Sequence, residues 1–261
     1  MQGRVRLVLF DVFDTLCTPR LPVHEQYAIE ARKAGLHVTS ERVRAGFRPA
    51  FKEMNAIHPV YGKHSTPPLT PEGWWTDLIH RCMAHAGASE SNLDRVGPGL
   101  AHAILERFES SEGYIDFPET LDVCWTEWQV RGLRELGVKT SVVSNSDPRI
   151  LRSLDALEIT PYISCGPTLS WDVEAGKPDK RIYDAACFAC GVEPGPGVIM
   201  VGDELEADYR GSVAAGLEGR LIRRDGEWSD GAVRGHGEDL SGVHVIRSLS
   251  EVLDEVKRRN A

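Results

Sequence analysis

Four short apolar runs, at residues 5–10, 138–143, 197–201 and 219–222, limit what this chain can fold into more than any other feature. They are rich in Val, Leu and Ile, the composition of strands covered on both faces. Each is bracketed by stretches whose apolar residues recur at helical spacing. Strand and helix in alternation call for a parallel sheet with right-handed crossovers, since a parallel neighbour is reached only through a long connection. Local signals agree: Asp147-Pro148 supplies an N-cap and a first-turn proline, and Gly191 and Gly216 stand where helix C-caps belong.

Residues 18–117 break the alternation. Their apolar spacing is helical throughout, with no strand pattern, and predicts helices at 23–34 (stopped by Gly35), 41–54 (after Thr39-Ser40), 71–86 (capped by Thr70) and 93–109. A Pro-, His- and Gly-rich loop lies at 57–71. The expected fold is therefore α/β: a Rossmann-like parallel-sheet core from residues 1–17 and 118–261, with an inserted all-helical domain at 18–117. The 261 residues, 41% hydrophobic and 26% charged, suffice for one large core plus an insert. A net charge of −9 repels nucleic acid and anionic lipid alike, so neither is an expected partner. The apolar run after Met1 is too short for a signal-peptide core or a membrane span, and a cytoplasmic location is expected. Cys17, Cys82, Cys124, Cys165, Cys187 and Cys190 follow no secreted-domain spacing and are expected to be reduced, with Cys187 and Cys190 as buried apolar thiols.

In an open parallel sheet, ligands bind beyond the carboxyl ends of the strands. Asp11 ends the first run, Ser144-Asn145 the second and Gly202-Asp203-Glu204 the third, while Lys177-Pro178 opens the helix before that third run. Any one of these reads equally as a cap or a solvated loop. Together they bring a carboxylate, a hydroxyl, an ammonium and an acidic cluster to one rim.

These segments carry a resemblance. Phe10-Asp11-Val12-Phe13-Asp14-Thr15-Leu16, Val142-Val143-Ser144-Asn145, Lys177-Pro178-Asp179 and Val201-Gly202-Asp203-Glu204-Leu205-Glu206-Ala207-Asp208 resemble, in order, the four motifs of the haloacid dehalogenase (HAD) superfamily. Glu25-Gln26-Tyr27-Ala28 and Gly73-Trp74-Trp75 resemble segments of one group within it, haloacid dehalogenase-like hydrolase domain-containing protein 3. The resemblance implies a helical cap on the core and a hydrolase acting on a small phosphorylated metabolite through an aspartyl-phosphate at Asp11. It further implies Mg²⁺ held by Asp11, the Phe13 carbonyl, Asp203 and Asp208. Ser144, Asn145 and Lys177 would bind substrate, with Ser144 and Lys177 on the phosphoryl oxygens, Asn145 shaping the loop, and Asp208 or Glu204 orienting Lys177 or a metal-bound water.

The pattern departs at Phe13, where superfamily phosphatases usually carry the aspartate that protonates the leaving group. Asp14 follows, at a position usually glycine, and the acid role is not transferred to it. Two alternatives stand beside the phosphatase. One is a metal-free dehalogenase, against which the acidic cluster counts, because it would repel a haloacid carboxylate. The other is a catalytically silent phosphate- or metal-binding protein. Elsewhere, His80 and His85 lack the i, i+4 spacing of a helical zinc site, Trp74 and Trp75 read as helix packing, and Arg223-Arg224 and Lys257-Arg258-Arg259 read as solvated basic runs. Substrate identity and oligomeric state are not legible in the sequence.

Overall fold

A computed structural model of the chain describes residues 3–117, 120, 129–226 and 237–261; Cys124, singled out in the sequence, lies outside the described residues. Six parallel strands form the main sheet in the order β5-β4-β1-β6-β7-β8: β1 (Leu7–Phe10), β4 (Lys139–Ser144), β5 (Thr168–Leu169), β6 (Val198–Gly202), β7 (Glu218–Ile222) and β8 (Val245–Ile246). β1 lies at the centre, with Phe10 beside Val142 of β4 and Val201 of β6. That register brings the ends of three chemistry-bearing strands level. The four apolar runs became strands as expected. β5 and β8 did not show in the sequence because two residues are too few for a periodicity to register.

The chain divides into two compact units, Met1–Thr18, Ile115–Ser146 and Leu157–Ala261 in one, Pro19–Tyr114 and Asp147–Ala156 in the other. The first buries Leu7, Leu9, Val198 and Met200 against Ile182 and Ala186 of the helix Lys180–Ala189. The second packs α1 (Val23–Lys33), α2 (Ser40–Ile57), α3 (Pro71–His85) and α4 (Glu90–Phe108) around Ala31, Val43, Ile79, Met83 and Ile104. Thr39 and Thr70 cap α2 and α3 through hydroxyls that accept from Arg42 N (3.3 Å) and Gly73 N (3.1 Å). Gly35 follows α1 at φ +84°, the left-handed value that a C-terminal stop needs.

Two features of this half differ from the sequence reading. β2 (Cys17–Pro19) and β3 (Tyr114–Asp116) form a two-stranded sheet in a region read as strand-free, again because the strands are very short. The helix Ile150–Ala156, read as part of the core, groups with the helical unit. Its packing explains why: Trp75 Nε1 donates to Asp147 Oδ2 at 2.8 Å, Ser153 Oγ to the Phe108 carbonyl at 2.8 Å, and Arg152 pairs with Glu109 at 2.5 Å. Asp147 also accepts from Arg149 N at 3.0 Å, as an N-terminal cap, and from the Arg149 guanidinium, which lies 5.0 Å from the Trp75 ring centroid. Trp74 is fully buried beside Met54 and Leu78, the packing role expected of it. Cys187 and Cys190 are buried free thiols. No described helix is long and apolar enough to cross a membrane.

Candidate active site

Asp11 directly follows β1, its amide still donating to Val201 O at 2.9 Å, and the chain then turns sharply. Leu16 N and Cys17 N both donate to Val12 O (2.8 and 3.1 Å), and Asp14 N closes onto Cys17 O at 2.7 Å. The turn drives Asp14 to φ +53°, where glycine is at ease and aspartate is tolerated. The Asp14 carboxylate accepts from the Thr18 hydroxyl at 2.8 Å. Phe13, half-buried, bridges to Cys17 through its backbone.

Lys177 Nζ donates to Asp11 Oδ1 at 2.5 Å and to Asp208 Oδ1 at 2.7 Å. Asp11, Asp203 and Asp208 are all buried and offer oxygens within 4.8 Å of one another. Asp208 comes from a widened helical turn, Leu205–Arg210, in which both Asp208 N and Tyr209 N reach back to Glu204 O, and its Oδ2 accepts from Glu204 N at 2.9 Å. Gly202 makes room for it, since a Cβ there would stand 2.1 Å from Asp208 Cγ.

Three buried carboxylates against one ammonium leave an excess of negative charge. Burial, opposed by Lys177 and reinforced by Asp208, pushes the Asp11 carboxyl up to about 7. Burial and then the charges of Asp11 and Asp208 push Asp203 up to about 9, and burial raises Glu204. Burial alone would lower the Lys177 ammonium, but attraction to Asp11 and Asp208 outweighs it and the net shift is upward. An all-oxygen, surplus-anion donor set suits a hard divalent cation such as Mg²⁺.

Ser144 is buried at the end of β4. Asn145, expected at the substrate, directs its amide to the backbone of Lys177: Oδ1 accepts from Lys177 N at 2.6 Å and Nδ2 donates to Lys177 O at 3.0 Å. It therefore fixes the lysine's loop, and Gly176 is needed because a Cβ there would lie 2.8 Å from Asn145 Oδ1. The hydroxyls of Thr15 and Ser146, close in sequence to Asp11 and Ser144, are buried without a hydrogen-bond partner among the described residues.

The sequence reading missed Arg223 and Arg224, which it took for a solvated run. Arg223 is buried, donates to the Asp203 carbonyl, and pairs with Glu238 at 2.9 Å. Arg224 donates to the carbonyls of Asp14 and Thr15, each at 2.8 Å. The signal that could have found them is position: they directly follow β7, at the rim where Asp11 follows β1.

The haloacid dehalogenase-like hydrolase family profile matches residues 5–216. Haloacid dehalogenase-like hydrolase domain-containing protein 3 of Danio rerio is 34% identical over 254 residues, covering 97% of this chain and 96% of its own length. Among solved structures, a defluorinating L-2-haloacid dehalogenase superposes at TM-score 0.69 with 17% identity, over 98% of this chain and all of its own. A HAD phosphatase from Thermococcus onnurineus superposes at TM-score 0.61 with 20% identity and the same coverage. At those identities the two structures speak to the fold, which hosts either chemistry.

Proposed function

The chain belongs to the haloacid dehalogenase-like hydrolase family, and from that membership we propose that it hydrolyses a small phosphorylated metabolite through an aspartyl-phosphate on Asp11. The observation that carries this reading is the charge balance of the buried cluster, three carboxylates within 4.8 Å of one another beside a single ammonium. A haloacid carboxylate would add a fourth anion. A divalent cation would offset the excess, with Asp11, Asp203, Asp208 and the Phe13 carbonyl as its holders.

When bound, Mg²⁺ would supply charge neutralisation that lets a carboxylate approach a phosphoryl group. The chain's own residues do the rest. Asp11 forms a bond to phosphorus as the bond to the leaving oxygen breaks, and water later attacks the same phosphorus and releases Asp11. The Ser144 hydroxyl and the Lys177 ammonium hold the phosphoryl oxygens as charge builds on them. Asp208 and Asn145 keep Lys177 in place, one through its ammonium and the other through its backbone. Phe13 offers no proton, so the reading favours leaving groups that depart as stable anions, such as acyl or aryl oxygens. The helical unit is assigned the cap's part in choosing substrate and excluding water. The cytoplasm, where phosphorylated metabolites, Mg²⁺ and reduced thiols coexist, is the compartment this reading expects.

The aromatic ring of Phe13 favours the metal-free dehalogenase as a second reading. A screen of phosphomonoesters and acyl phosphates for phosphate release, with and without Mg²⁺, run beside halide release from 2-haloacids, separates the two. Mg²⁺-dependent phosphate release lost in Asp11→Asn is the expected result. Halide release without metal overturns the proposal, and Mg²⁺ uptake with neither activity leaves a binding protein.

A further inference from the structure

Three successive carbonyls of the turn after Asp11 are held by groups from elsewhere in the sequence. Those of Asp14 and Thr15 accept from the two terminal nitrogens of Arg224, each at 2.8 Å. That of Leu16 accepts from Thr120 Oγ1 at 2.8 Å and from Phe117 N at 3.3 Å. The Arg224 guanidinium also lies over the Phe117 ring, 3.6 Å from its centroid. Its neighbour Arg223 reaches the other acidic loop and holds the Asp203 carbonyl. Two adjacent arginines leaving β7 thus grip the two loops that carry Asp11 and Asp203.

We propose that Arg224 is a positioning residue for the nucleophile: its planar fork fixes the Asp14 and Thr15 carbonyls and thereby the direction in which Asp11 and the Phe13 carbonyl face the cation site. The inference rests on the phosphatase reading for its consequence and on geometry for its mechanism. The turn needs an external clasp because Asp14 stands at φ +53°, a backbone state that an L-residue occupies at a cost. Two carbonyls side by side call for two parallel donors on a rigid plane. Guanidinium provides them, whereas an ammonium is one compact point charge. The flat cation also stacks on Phe117, which keeps it from swinging into solvent.

The test compares wild type, Arg224→Lys and Arg224→Ala by amide hydrogen exchange and by calorimetric titration with Mg²⁺. The lysine variant keeps the charge and loses the planar fork, with its paired carbonyl bonds and its stacking on Phe117. Its amides at Asp14, Leu16 and Cys17 should exchange about tenfold faster, with those of β4 and β6 unchanged. Its Mg²⁺ dissociation constant should rise about tenfold, as for loss of a partner behind a metal ligand. The alanine variant should show both changes more strongly. Wild-type protection of the turn in both variants overturns the proposal, as does a loss spread evenly over the sheet, which would mean general destabilisation. If the wild type itself takes up no Mg²⁺, the phosphatase reading fails, and the clasp is then decided by the exchange of the turn alone.

Discussion

Asp203 carries the largest burden of uncompensated charge at the site, since Lys177 pairs with Asp11 and Asp208. Asp203→Asn should therefore weaken Mg²⁺ binding by more than the roughly 10–100-fold typical of losing an outer partner. Calorimetric titration gives the answer, and equal affinity in the two proteins would remove the proposed metal site. At Phe13 the expectation runs the other way. Phe13→Asp supplies the missing acid, and turnover of alkyl phosphates should rise within the roughly 10²–10⁴ attributed to such a group, with aryl phosphates gaining less. The alkyl-to-aryl ratio is the quantity to measure, because both classes share the later attack of water. Most of the cluster was legible in the sequence, since Asp11 and Asp203 each end an apolar run and Lys177 and Asp208 complete known motifs. Arg223 and Arg224 were not, because adjacent basic residues look alike whether they face solvent or clasp backbone.

Elements show a similar division between what periodicity reveals and what it hides. The four long helices of the helical unit match their expected positions to within a few residues, caps included. Helical spacing shows which face is apolar but not what covers it, so the helix Ile150–Ala156 was placed with the wrong neighbours. Asp147 joins that helix to α3. Removing its carboxylate in Asp147→Ala deletes the N-terminal cap, the Arg149 pairing and the Trp75 bond together. The variant should lose about 2–4 kcal/mol in urea denaturation, and Trp75→Phe, which removes only one of the bonds to that carboxylate, should lose less. At the end of β6, Gly202→Ala would drive a methyl into Asp208. The displaced carboxylate should release Lys177, with a stability loss of about 3 kcal/mol or more and no phosphate turnover.

For the whole molecule, the acidic cluster sets how stability depends on pH. Asp11 and Asp203 stand at 3.8 in the unfolded reference and at about 7 and about 9 in the folded chain. A raised folded value means the native state holds its protons more tightly. Their stabilising contribution is thus full below about pH 4 and is lost as pH rises through 7 and 9. Glu218 acts in the opposite sense: burial, which would raise it, is outweighed by bonds from Arg259, Gly197 and Arg220, and it is lowered to about 2. Its contribution is present above about 4.5 and fades as the solution is acidified toward 2. On the proposed reading Mg²⁺ would bind the deprotonated cluster, so the rise in Tm on adding it should be small at pH 5 and grow toward pH 9. A rise independent of pH over that span would contradict the charge balance described here.

With Asp147–Ala156 in the helical unit, the backbone passes between the two units at 18/19, 114/115, 146/147 and 156/157, four times where a simple insertion would pass twice. If the helical unit chooses the substrate, as proposed, that preference cannot be transplanted by exchanging one segment. A chimaera that takes only residues 19–114 from a relative would set a foreign bundle against this chain's own Asp147, Arg149 and Ser153. Two stretches far apart in sequence must travel together in any such graft.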